Sequence, residues 1–171
     1  FGNIVGHAPG ADDIAKMSDW KHLEVDSSLT WDDIEWVRRQ WGGPLILKGL
    51  MDPADARRAA QMGVAAIVVS NHGGRQLDWC VSGVELLPAV AAEVGNRITV
   101  LVDGGFRRGS DVLKAIALGA HGVMIGRPVL YGLAAAGEAG VAHALGMLRA
   151  EMERVMMLLG CRNLGELGRH L

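Results

Sequence analysis

Residues 65–78 read AAIVVSNHGGRQLD. The first six are small or apolar, β-branched in the middle, and close on Ser70. A short run without polar alternation reads as a parallel strand buried on both faces. Straight after it come His72, Gly73, Gly74, Arg75 and Asp78. That is a loop with titratable and hydrogen-bonding chemistry, set at the carboxyl end of a buried strand.

Three similar runs lie on either side: LILK (Leu45–Lys48), ITVLVD (Ile98–Asp103) and HGVMIG (His121–Gly126). Helical stretches separate them. TWDDIEWVRRQW opens on Thr30 as N-cap, places Ile34, Val37 and Trp41 on one stripe, and stops at GGP. DPADARRAAQMG has Asp52 as N-cap, Pro53 at the first helical position and Gly63 as the stop. Pro88 is expected in the first turn of a helix ending near Gly95. A further helix is expected from Ser110 to Gly119, and a long one from Gly140 to Leu159, closed by Gly160. Strand and helix in strict alternation predict an α/β fold with a parallel sheet and right-handed crossovers. Two architectures satisfy the pattern: a small doubly wound sheet, or four units of a (β/α)8 barrel. A complete barrel takes about 250 residues, and the chain has 171.

Composition narrows the function. A net charge of −2 gives no basic face for nucleic acid. No apolar run approaches the roughly 20 residues that span a bilayer, and FGNIVGHAPG has no signal-peptide pattern. Cys80 and Cys161 are far apart and lack metal spacing, so no metal site is expected and both read as reduced thiols of a cytoplasmic protein. Residues 1–27 are polar, with Gly and Pro near the start, and read as a long connecting loop. The chain does not begin with methionine, and a piece of a longer protein is expected.

Ligands of parallel α/β proteins sit where strands end and loops begin. The strand ends here carry Lys48-Gly49, then Ser70 to Arg75, then Asp103-Gly104-Gly105 with Arg107 and Arg108, then Gly126-Arg127. Each has a bland reading alone: a solvated lysine, a loop-bonding histidine, a surface arginine, an ordinary Asp-Gly-Gly turn. Together they are harder to dismiss, because chance would scatter them over both ends of the strands. The glycines let backbone N–H groups approach a phosphate that Arg107 and Arg127 neutralise. Arg75 can clamp a carboxylate with its planar fork, and His72 is placed to take a proton beside it. Lys48 offers a positive charge to an electron-rich ring. The set suggests oxidation of a 2-hydroxy acid beside a phosphate-bearing cofactor.

LILKG, IVVSNHGGRQLD, LVDGGFRRGSDVLKAIALGA and MIGRPVLYGLAAAGEAGV resemble the FMN-dependent 2-hydroxy acid dehydrogenases and oxidases, which include flavin L-lactate dehydrogenases, glycolate oxidases and mandelate dehydrogenases. The resemblance runs from about Ser28 to the C-terminus. It implies a (β/α)8 barrel, with this chain supplying roughly strands 5–8 and the C-terminal helices, and FMN as cofactor. It implies that His72 is the base, Arg75 binds the substrate carboxylate, and Lys48 stabilises negative charge at the flavin N1 and C2 carbonyl. Ser70 would lie near the flavin ring and Asp103 at the ribityl chain, with Gly104, Gly105, Arg107, Gly126 and Arg127 completing the cofactor site, the phosphate cradle included. Residues 1–27 would be the variable loop after strand 4, and 28–171 the C-terminal half of the barrel. In some relatives that loop touches membrane; Ile14, Met17 and Trp20 would offer a peripheral contact on the inner membrane. The family's other substrate-contacting groups have no counterpart here, since Tyr131 is the sole tyrosine. The chain therefore reads as a C-terminal fragment, inactive alone, of an enzyme expected to be a homotetramer that oxidises (S)-2-hydroxy acids, L-lactate favoured over mandelate or glycolate. The competing reading is a non-catalytic phosphate- or flavin-binding half-barrel.

Overall fold

A computed structural model describes Asp13 and residues 26–168, which fall into two units divided between Gly42 and Gly43. Apart from Asp13, Asp26 and Ser27, the expected variable loop lies outside the described residues, as do Ile14, Met17 and Trp20. In the first unit, helix α1 spans Trp31–Trp41. Asp33 Oδ2 accepts from the Thr30 N–H and hydroxyl at 2.6 and 2.8 Å, which starts the helix where expected. Gly42, at φ +65°, ends it by donating its N–H to the Arg38 carbonyl.

The second unit is built of βα repeats. Strand β1 (Ile46–Leu50) leads to helix α2 (Pro53–Gln61) and strand β2 (Ala66–Val69) to helix α3 (Gly83–Val94). Strand β3 (Thr99–Asp103) leads to helix α4 (Gly109–Ala117), and strand β4 (Gly122–Met124) to helix α5 (Arg127–Leu159). All strand pairs are parallel, in the spatial order β1-β2-β3-β4. A doubly wound sheet reverses its strand order at a switch point; strict succession is what a segment of barrel wall requires. With right-handed crossovers it also sends every connecting helix to one face.

The core follows from that layering. Ile67, Val68, Val69, Val100 and Val102 of the two central strands are buried with Leu87, Val90 and Val94 of α3, Ala56 and Ala59 of α2, and Val112 and Leu113 of α4. Among the described helices none is long and apolar enough to cross a membrane.

The structure departs from the sequence expectations in four places. β1 does not end at Lys48: Gly49 takes φ +96° and the register slips between Lys48↔Val68 and Leu50↔Val69, so glycine makes a bulge and the strand continues. α3 begins at Gly83, five residues before Pro88, which lies inside the helix, because Ser82 and Glu85 form a capping box. β4 is shorter than 121–126. His121 lies before it, yet its N–H still donates to the Val100 carbonyl and its Nδ1 accepts from Val100 N–H at 3.0 Å. The final helix begins at Arg127 rather than Gly140 and folds over at Ala136 and Gly137, where the dihedrals leave the helical region. A Cβ on Gly132 would stand 2.5 Å from the Gly140 carbonyl oxygen, so two glycines allow the halves to touch.

Candidate active site

Beyond the carboxyl ends of β2, β3 and β4 lies a cavity of about 480 Å³, within the range of small-molecule sites. It is lined by His72, Arg75, Asp103, Gly104, Gly105, Arg107, Gly126 and Arg127, together with apolar Phe106, Met124, Ile125, Pro128 and Leu130. Eight of the ten site residues read from the sequence therefore share one space. Lys48 and Ser70 do not line it but support residues that do. Lys48 Nζ lies 2.8 Å from Asp103 Oδ2 and donates to Ser70 Oγ at 3.0 Å. Ser70 is 1% exposed, and its oxygen also accepts the His72 N–H at 3.2 Å. One buried hydroxyl thus ties β1 to the His72 loop.

The loop after β2 is held by its own polar groups. Asn71 Oδ1 accepts from the Gly73 N–H at 3.0 Å, the Asn71 amide donates to the Val81 carbonyl, and Gly74 N–H returns to the Asn71 carbonyl. These bonds carry His72 into the left-handed region at φ +55°, a conformation that costs a residue with a Cβ about 1–3 kcal/mol. The direction of the chain after Ser70 is therefore imposed and held.

The opposite wall suits an anion. Gly104 and Gly105, at φ +99° and +83°, turn the chain without side chains that would fill the cavity. α5 begins at Arg127 with Gly126 before it and no side-chain cap. Pro128 has no N–H and the Val129 N–H bonds the Gly126 carbonyl, so the Arg127 N–H is the donor left for a phosphate at this end. Arg75, Arg107 and Arg127 have no ion-pair partner among the described residues, whereas Arg108 pairs with Glu151 at 2.8 Å.

The site has close likenesses. A family model described as FMN-dependent dehydrogenase matches residues 4–171. The chain belongs to the FMN-dependent dehydrogenase family. It is 46% identical over 167 residues to an L-lactate dehydrogenase of Caulobacter vibrioides strain NA1000, covering 98% of this chain and 44% of that protein. It is 52% identical over 155 residues to a peroxisomal (S)-2-hydroxy-acid oxidase of Oryza sativa subsp. japonica, covering 91% and 42%. A solved structure of mandelate oxidase with benzoyl-formic acid superposes with a TM-score of 0.79 at 50% identity, covering 82% of this chain and 42% of that one. The chain spans less than half the length of these relatives. Its four parallel units are a segment of the (β/α)8 barrel of FMN-dependent oxidases.

The residues present fit FMN. Asp103 Oδ1 is buried without a hydrogen-bond partner among the described residues, an acceptor at the cavity wall that a ribityl hydroxyl would satisfy. The glycine turn and the uncapped start of α5 suit a phosphate ester, and the apolar lining suits a ring.

Sequence reasoning missed Gly49, Asn71 and the apolar lining. An isolated glycine after Lys48 in a strand pattern is itself a bulge signal. Asn71 before His-Gly-Gly is a side-chain turn signal. Phe106, Met124 and Leu130 carried none, since apolar residues at strand ends look like core.

Proposed function

We propose that the protein carrying this chain oxidises an (S)-2-hydroxy acid to the 2-oxo acid with FMN, L-lactate being the favoured substrate. The observation that carries this reading is the single cavity shared by an imidazole, an unpaired guanidinium and an anion cradle. His72 accepts a proton from the substrate, while the Arg75 fork holds the carboxylate so that the proton faces the ring. Lys48, fixed by Asp103 and Ser70, presents a cation beside the site where negative charge accumulates. Asp103, Gly104, Gly105, Arg107, Gly126 and Arg127 would hold FMN, which when bound supplies the two-electron acceptor. The L-lactate dehydrogenases among the relatives support lactate; the 50% identity to mandelate oxidase supports mandelate as the second choice. The resemblance also supports a homotetrameric, cytoplasmic enzyme, testable by sedimentation and by cell fractionation.

The test is optical. The complete protein should be yellow and should bleach on anaerobic addition of L-lactate. His72→Gln should keep the flavin spectrum but lose about 10²–10⁴-fold in turnover, the usual contribution of a general base. A colourless protein that binds only inorganic phosphate would favour the non-catalytic half-barrel, which has no use for Lys48, His72 or Arg75. Undiminished turnover in His72→Gln would remove the base from the mechanism.

A further inference from the structure

We propose that Gly49 is a positioning residue for His72: lacking a side chain, it lets the imidazole rest on the β1 backbone and so sets where the ring stands. The catalytic consequence rests on the hydroxy-acid reading; the geometry does not.

Gly49 occupies the β1 bulge, with no register partner between the Lys48↔Val68 and Leu50↔Val69 pairs. A Cβ built there would lie 2.9 Å from His72 Nε2, 3.6 Å from Cε1 and 3.9 Å from Cδ2. These ring atoms are the nearest groups that such a Cβ would meet, so the space that glycine leaves open is the space the imidazole uses. The ring nitrogens have no hydrogen-bond partner among the described residues. Its backbone is pinned from below by the Ser70 hydroxyl, but the ring itself is oriented by contact. Carbon atoms in contact sit about 3.5–4.0 Å apart, so a methyl group at position 49 would drive the ring outward. Two departures from ordinary backbone, the Gly49 bulge at φ +96° and His72 at φ +55°, meet at this one contact.

The experiment compares Gly49→Ala, His72→Gln, His72→Ala and the double variants in the complete, FMN-loaded protein, with L-lactate as substrate. Gly49→Ala should lower kcat by about a hundredfold, the scale of an ångström of misplacement, with KM nearly unchanged and the flavin spectrum intact. Added to His72→Gln it should cost nothing more, because coupled residues are not additive. The melting temperature should drop on Gly49→Ala, and drop less when His72 is already alanine. Unchanged kcat, or an equal thermal loss with and without the ring, overturns the proposal. If Gly49→Ala does not fold, recovery of folding in Gly49→Ala/His72→Ala supports it, and failure of both assigns Gly49 to backbone strain alone and overturns it. If His72→Gln keeps full turnover, the base role fails, whereas thermal coupling of the two positions would still stand.

Discussion

Arg75 and Arg108 carry the same guanidinium but have different tasks. Arg108 is tied to Glu151, whereas Arg75 lines the cavity with no ionic partner among the described residues. An unpaired fork is suited to a planar carboxylate because it can make two parallel bonds, and an ammonium cannot. Arg75→Lys should therefore weaken catalytic efficiency toward L-lactate by about 1.5–3 kcal/mol, the range for hydrogen bonds to charged groups. Steady-state kinetics on the FMN-loaded protein reads this directly, and an unchanged kcat/KM would count against the clamp. The residue types were legible in the sequence because each stands at a strand end. Their partners were not. Nothing local in Lys48 or Asp103 says that the two meet at 2.8 Å, since 55 positions separate them (103 − 48).

Glycines and one carboxylate decide how the elements lock. A Cβ on Gly109 would come within 2.5 Å of the Leu148 carbonyl oxygen and the Met152 nitrogen, so the start of α4 can press on α5 only because position 109 is glycine. Glu151 then closes the joint, accepting the Gly109 N–H at 2.7 Å and pairing with Arg108. The Gly109 N–H, and after it the Arg108 guanidinium, hold the Glu151 carboxyl below its ordinary range. A depressed folded-state pKa contributes stability above the unfolded value, and that contribution is lost as pH falls through the folded value. Urea midpoints of the wild-type chain should accordingly exceed those of Glu151→Gln at neutral pH. The gap should shrink on acidification below pH about 4, where the unfolded glutamate has begun to protonate, and close once the folded carboxyl, held lower, protonates as well. A gap independent of pH would show that the charge is immaterial. Caps such as Thr30 and Asp52 could be read from local spacing, but the α5 turnover at Gly137 could not. Ala-rich sequence favours helix on both sides of it, and only the packing of Gly132 on Gly140 selects the fold-back.

At the scale of the whole molecule, the outer edges of β1 and β4 have no strand partner among the described residues. Ile46 on β1 is 53% exposed and Met124 on β4 is 41% exposed, while β2 between them is buried throughout. Unpaired parallel edges with apolar side chains invite further strands. The isolated chain should therefore self-associate as its concentration rises, and Ile46→Lys should suppress this in sedimentation experiments. A monodisperse monomer of the wild-type chain at high concentration would mean that the edges are not adhesive. By itself the sequence determined the alternation of buried strand and helix, the loop chemistry after each strand, and a family likeness carried by contiguous motifs. Those are local properties, written in hydrophobic period, capping residues and short runs. Tertiary structure alone decided that the strands succeed one another without a switch point, that Ser70 bridges Lys48 and His72, and that Gly49 lies beneath the imidazole. Contacts of that kind join distant positions, and their energies depend on distances that no stretch of chain contains.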